Sequence, residues 1–245
     1  MSSLALTLRQ VRYENKSFWR NPAAAFFTFA FPLMFLVIFN GVFGDNSQYY
    51  VPSIGAFSVI TACYTNIAMG VAFAREEGVL KRKRGTPLPG VAYLLGKVLH
   101  STLIALLLVA IVALTGRFFY DVVLPTSTLG AFVATLAVGA AAFCALGLAI
   151  TAVVPNADAA PAVVNASILP LLFLSGVFFP TDDAPAWMTT IADVFPIKHY
   201  LEAMMSAFNP AGTNGWEGRD LMIVAVWGVV GLLLALRFFS WEPRR

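Results

Sequence analysis

Six long apolar runs dominate this 245-residue sequence, and almost no charge lies inside any of them. A helix of about 20 apolar residues crosses the hydrocarbon core of a bilayer, so the pattern predicts an integral membrane protein. Composition agrees: 59% of residues are hydrophobic and 12% charged, against about 25% charged in a soluble domain. Charged groups inside spanning helices mark proton or ion coupling. Here the runs hold only small polar residues, so work done on a substrate must be driven from outside this chain. The expected fold class is an all-α membrane protein with six transmembrane helices. A cytoplasmic interfacial helix (residues 1–21) precedes a six-span domain (residues 22–245), and two short re-entrant or outer helices separate spans five and six.

The spans read as Pro22 to Phe43, Pro52 to Ala74, Val91 to Thr115, Ser127 to Val154, Ala160 to Phe179 and Leu221 to Phe239. Pro22 suits a first helical turn, and Pro32 should kink the first span. Pro161 and Pro170 fall in the fifth. Cys63 and Cys144 lie inside apolar runs and read as buried small hydrophobes. No cleavable signal peptide is expected, because the first 20 residues lack an apolar stretch and a small-residue cleavage site. Thirteen of the sixteen basic residues fall at the amino terminus, in and after the loop following span two, and at the carboxyl end. Only Arg117, Lys198 and Arg219 fall on the other side. The positive-inside rule then puts both termini in the cytoplasm, in a cytoplasmic membrane of bacterial type.

Residues 3–20 are too polar to span. At 100° per residue, Leu4, Leu8, Val11, Phe18 and Trp19 share an arc of about 100°, and Arg9, Arg12, Lys16 and Arg20 share an adjacent arc of about 80°. An apolar face beside a basic stripe describes a helix lying on the membrane surface in contact with lipid. After span two, Ala74 to Gly90 holds the densest charge in the chain. Glu76 and Glu77 come first and Lys81 to Arg84 last, as a helix dipole favours. Glu77 and Lys81 are spaced for an i,i+4 pair. Gly85 can end the helix, and Pro87 and Pro89 prevent its continuing. The segment reads either as a solvated loop or as a docking element for a cytoplasmic partner.

From Thr181 to Phe208 the chain breaks into two pieces of about ten residues, too short to span. Asp183 can cap the first, with Pro185 in its first turn. Trp187, Ile191 and Val194 then follow helical spacing, and Pro196 interrupts it. Tyr200, Leu201, Met204, Met205 and Phe208 form the apolar side of the second. Such pieces are tolerated at membrane depth when packed against protein.

The stretch "LPLLFLSGVFFPTDDAPAWMTTIADVFPIKHYLEAM", Leu169 to Met204, resembles the carboxyl-terminal pattern of the type-2 ABC transporter permeases. The shared features are Ser175–Gly176, Phe179–Pro180, Pro185 with Trp187, and Pro196 with Tyr200 and Glu202. "REEGVLKRKRGTPLPGVAYLLGKVL" also resembles that family's coupling helix and entry to span three. The drug-exporter branch, with daunorubicin-exporter permeases, is the most similar. The resemblance implies a permease that moves an amphiphilic drug or lipid-like substrate out of the cytoplasm or inner leaflet. It implies two permease chains, as a homodimer or with a related paralogue, and two ABC ATP-binding subunits. ATP and Mg would be bound by those subunits and not by this chain. The coupling segment Arg75, Glu76, Glu77, Lys81, Arg82, Lys83 and Arg84 would dock the ATPase. Trp187, Pro196, Tyr200 and Glu202 would shape a re-entrant gate, and spans two and five would line the pathway.

Polar residues in those two spans are Thr61, Tyr64, Thr65, Asn66, Asn165, Ser167 and Ser175. They can bond helix to helix or face a substrate, with Phe179 among the apolar candidates. Gly139, Ala140, Ala141, Ala142 and Gly147 should let span four approach its neighbours closely. His100 and His199 lack metal-ligand spacing, so no metal site is expected. No G-x-x-x-x-G-K-[ST] loop occurs, and no nucleophile-and-base set is visible, so an enzyme is not expected. Nothing points to nucleic acid. Two competing readings are a secondary, ion-coupled transporter, which lacks mid-span acids here, and an exporter of glycoconjugate or polysaccharide precursors.

Overall fold

The computed structural model describes residues 3–43, 46–85, 89–181, 184–208 and 214–241. Asp183, Pro87, Arg244 and Arg245 lie outside them, as does the side chain of Arg84. Every regular element among the described residues is helical. The helices are α1 (Ser3–Trp19), α2 (Pro22–Phe43), α3 (Ser47–Ile60), α4 (Asn66–Glu76), α5 (Val79–Arg84), α6 (Gly90–Tyr120), α7 (Leu129–Ile150), α8 (Ala160–Leu174), α9 (Ala186–Val194), α10 (Pro196–Phe208) and α11 (Gly218–Phe238). Among the described residues, five stretches are long and apolar enough to cross a membrane: α2, the continuous Ser47–Glu76 rod, α6, α7 and α11.

The second rod begins at Ser47, five residues before Pro52, which lies inside the helix just past its first turn. Between α3 and α4 the rod widens into a π-helical turn, Thr61–Thr65. Ser58 and Thr61 donate their hydroxyls to the Ile54 and Phe57 carbonyls one turn back, at 2.7 and 2.9 Å. Such back-bonding bends helices. The fifth predicted span is a shorter helix. α8 ends at Leu174, where Ser175 leaves helical geometry and Gly176 takes φ +82°. Its 15 residues reach about 22 Å, and the chain runs on irregularly through Ser175–Pro180.

The core is built on small residues. α7 and α11 form the closest helix pair, with Gly228 against Ala142 and Gly231 against Leu146. Gly147 admits the Tyr64 backbone on another face of α7. Cys63 and Cys144 are free and buried. α10 is buried along most of its length between α3, α7 and α11. Burial of Tyr200 explains the glycine at 139: any Cβ there would collide with the Tyr200 ring.

One end of the bundle gathers α1, α5 and the end of α11. Lys97 of α6 pairs with Glu14 of α1 at 3.1 Å, and Trp241 lies 6.2 Å from Tyr93 between ring centres. The face that α1 turns to α6 is polar: Thr7 and Gln10 are buried, and Gly96 leaves room for Gln10. Leu4, Leu8 and Trp19 stay exposed, with Trp19 stacked on Phe29 of α2 at 5.7 Å.

Candidate functional site

At the α1 end, the charged segment after α4 is two pieces and not one helix. Gly78 takes φ +68°, in the left-handed region, and separates Glu77 from α5. The expected helical Glu77–Lys81 pair is therefore interrupted. Leu80 is fully buried and pins α5 to the bundle, while Glu76, Glu77, Lys81 and Arg82 remain exposed. Lys83 is half-buried, its ammonium 4.2 Å above the Tyr93 ring. Burial pushes its pKa down, Glu14 opposes that shift, and Lys97 adds to it.

Arg75 stands apart from its charged neighbours. Only 1% exposed, it donates Nη1 to the Thr151 carbonyl at 3.0 Å and Nη2 to the Val154 carbonyl at 2.5 Å. It ties the end of α4 to the α7–α8 connection and offers no docking surface. Arg9, Arg12 and Lys16 of α1, and Arg20 just after it, are exposed, and Arg9 reaches the Tyr13 hydroxyl at 3.4 Å.

Two of the pathway candidates meet. The Tyr64 and Ser167 hydroxyls share a hydrogen bond of 2.7 Å across the π-helical turn and α8. Thr61 is satisfied by its own helix. Asn66 is exposed, and Thr65 and Asn165 are half-buried. Ser175 is buried, and its hydroxyl finds no partner among the described residues. Tyr49 donates to the Gly176 carbonyl and holds the end of α8 to the start of α3.

Beside this point lies an aromatic cluster that sequence reading missed as a unit. Phe35 and Phe39 of α2, Phe57 of α3 and Phe178 lie with ring centres 5.5–5.9 Å apart. Phe179 adds to it from Phe39 at 5.8 Å and stays exposed. The i,i+4 spacing of Phe31, Phe35 and Phe39 along α2 was the available signal.

The residues of the expected gate occupy different environments. α9 and α10 form a hairpin whose elbow enters the bundle. Phe195 stacks on Trp227 at 5.7 Å, and Trp227 donates to the Val194 carbonyl at 3.0 Å. Trp227 stands nine residues into α11, about 13 Å along its axis. Pro196 and Tyr200 are buried there, with Tyr200 packed edge-on to Phe143. Trp187 and Glu202 face outward. His199 ties the hairpin to α11, with Nδ1 2.7 Å from Asp220 and Nε2 2.9 Å from the Asp193 carbonyl. His199, Glu202 and Asp220 bring their polar atoms within 4.8 Å of one another. Burial raises the Glu202 pKa, the Asp220 carboxylate raises it further, and Lys198 and His199 draw it back.

A long, charge-poor bundle with an exposed charged turn at one end and an inserted hairpin at the other is the architecture on which comparison with known proteins bears. Residues 6–209 match the model of the ABC-2 type transporter family. The chain is 27% identical over 221 residues to the daunorubicin resistance ABC transporter permease protein DrrB1 of Streptomyces coeruleorubidus, covering 84% of this chain and 74% of that one. It is 25% identical to the probable multidrug ABC transporter permease YbhR of Escherichia coli, over 64% of this chain and 43% of the relative. A shorter match, 36% over 67 residues, links it to nodulation protein J of Rhizobium leguminosarum bv. viciae, covering 27% of this chain and 26% of that one. With most of its length inside the family match, this chain belongs to the ABC-2 type transporter permeases, integral membrane subunits of ABC transport systems.

Proposed function

We propose that this permease is the membrane half of an ATP-driven exporter for amphiphilic, drug-like or lipid-like molecules. It would work as a pair of permease chains with two ATP-binding subunits that carry the ATP and Mg chemistry. The observation that carries this reading is the exposed Glu76–Glu77–Lys81–Arg82 turn, set on a buried Leu80 anchor at the end of a bundle whose spans carry acidic residues only at their ends. A turn held rigidly at its base and charged at its tip suits a partner that delivers force. The basic residue distribution supports placing that end in the cytoplasm. The exposed apolar faces of α2 and α8, with Phe27, Phe31, Leu169 and Phe173 outward, suit a second permease chain. The Tyr64–Ser167 seam and the aromatic cluster beside Gly176 would then border a shared route. The daunorubicin resistance and multidrug names of two relatives favour an apolar, aromatic cargo.

The test is co-expression with a candidate ATP-binding subunit and co-purification through a tag on the permease. We expect the wild type to retain the ATPase, and Glu76→Lys with Glu77→Lys to lose most of it while the permease stays folded. Export from liposomes by this permease in the absence of any ATPase would overturn the reading.

A further inference from the structure

Three electron-pair donors converge where α10 meets the start of α11. His199 and Glu202 stand i,i+3 on one face of α10, and Asp220 lies in the first turn of α11. A ring nitrogen of His199 and one carboxylate oxygen from each acid lie within 4.8 Å of one another. This is the end of α11 opposite Trp241 and the contacts of α1. The third donor comes from another helix, 18 positions beyond Glu202, so linear spacing gave no sign of the set.

The imidazole is held as a metal ligand is held. Its side chain is only 7% exposed, and Nε2 lies 2.9 Å from the Asp193 carbonyl. A carbonyl only accepts, so Nε2 carries the proton, and Nδ1 of a neutral ring presents a lone pair. That lone pair faces an Asp220 oxygen 2.7 Å away, which also only accepts when ionised. A positive centre has to lie between them. A proton joins two such atoms, but the Glu202 oxygen adds a third, and a metal ion is what gathers three. Ligating histidines give their other N–H to a backbone carbonyl in this same way. The nearby ammonium does not take this place: Lys198 is bonded to Asp193 at 2.5 Å and stands 3.9 Å from Glu202. With Lys198 matched to Asp193, the neutral ring and two carboxylates carry the charge that a divalent ion neutralises.

We propose that His199 Nδ1, Glu202 and Asp220 form a binding site for a first-row divalent cation such as Zn²⁺, with water in the remaining position. An imidazole in the set favours Zn²⁺ over Mg²⁺ and Ca²⁺. Two ligands about 2.0 Å from a tetrahedral ion stand about 3.3 Å apart. The His199–Asp220 pair therefore opens by about half an ångström, and the half-exposed Glu202 side chain swings in, giving up its 3.9 Å contact with Lys198. The ion joins α10 to α11 about two turns from Trp227, on which the hairpin elbow stacks through Phe195. Occupancy thus locks the α9–α10 hairpin to α11. The site is separate from the charged turn and from the Tyr64–Ser167 seam, and it does not depend on the exporter reading.

The test uses the full chain, purified in detergent without a polyhistidine tag and stripped with EDTA. Calorimetric titration should find one Zn²⁺ bound per chain, far more tightly than Mg²⁺. Glu202→Gln leaves the His199–Asp220 contact in place. It should weaken Zn²⁺ by at least about tenfold, the lower end of what losing even an outer partner of a metal site costs. Glu217→Gln removes an acid beside the start of α11 but outside the set, and should bind as the wild type does. Zn²⁺ should also raise the unfolding temperature of the wild type, followed by tryptophan fluorescence, and leave that of Glu202→Gln unmoved. Failure of the folded wild type to bind Zn²⁺ overturns the proposal and leaves His199 as a doubly protonated ring between two acceptors. Equal binding by the wild type and Glu202→Gln overturns it too. So does an equal loss in Glu217→Gln, the mark of a diffuse acidic surface.

Discussion

At the scale of single residues, Arg75 shows how position overrides type. It opens a run of charged residues, and its sequence neighbours Glu76 and Glu77 are exposed. Yet its own guanidinium is buried and forks onto two carbonyls that the ends of α7 would otherwise leave unsatisfied. Nothing in one sequence distinguishes this arginine from the exposed Arg82, because the distinction comes from where the α7–α8 turn passes. Hydrogen bonds to a charged group contribute about 1.5–3 kcal/mol. Arg75→Met should therefore lower the stability of the detergent-solubilised protein by about that amount. Arg75→Lys should recover only part of it, since an ammonium cannot reproduce the planar fork. Denaturant unfolding followed by tryptophan fluorescence reads both, with Glu76→Gln as the unchanged control. Tyr200 makes the same point from the apolar side. Its aromatic spacing on α10 was legible, but its full burial on Gly139 depends on a contact 61 positions away in sequence.

At the scale of elements, periodicity gave the helices and missed their partners. The apolar arc of α1 was readable, but the face that packs on α6 is Thr7, Gln10 and Glu14, held by a 3.1 Å ion pair and a missing Cβ at Gly96. A polar packing face carries no hydropathy signal. The break at Gly78 was equally obscure, since the flanking residues all favour helix and only the left-handed φ separates α4 from α5. The polar residues of the second rod divide the same way. Thr61 bonds within its own helix, while Tyr64 reaches across to Ser167. If that bond only joins helices, Tyr64→Phe and Ser167→Ala should each cost about 0.6 kcal/mol, and the double variant should cost no more than one of them. If the seam also faces the transported molecule, the same variants should in addition shift the KM of substrate-stimulated ATP hydrolysis in the assembled transporter. We expect the KM shift, because α8 is exposed beside Ser167 at Ala166 and Leu169. A measured loss of stability with no change in KM would assign the pair to helix packing alone.

At the scale of the whole molecule, the place where the ends meet bears on the number of crossings. Five stretches are long enough to span, and an odd count would leave α1 and the end of α11 on opposite sides of the membrane. They lie together: Lys97 near the start of α6 holds α1, and Trp241 after α11 packs on Gly90 and Tyr93. We propose that the chain returns an even number of times, with α8 as the element that makes up the difference. It starts beside the α7–α8 turn gripped by Arg75 and ends where Tyr49, at the start of α3, holds the Gly176 carbonyl. Its 15 helical residues fall short of the bilayer; on this proposal the irregular Ser175–Pro180 segment, buried at Ser175 to Phe178, would complete the passage. Irregular backbone is tolerated at that depth when protein covers it. The sequence pattern counted six runs and could not show that the fifth is a short helix with an unwound end. We predict that, in a Cys63→Ala, Cys144→Ala background, Lys81→Cys and Asn156→Cys react with a membrane-impermeant maleimide from one side only. Trp187→Cys should react from the other side. Labelling of Asn156→Cys and Trp187→Cys from the same face would show that α8 does not cross, and would break the closure that the packing of Trp241 on Tyr93 requires.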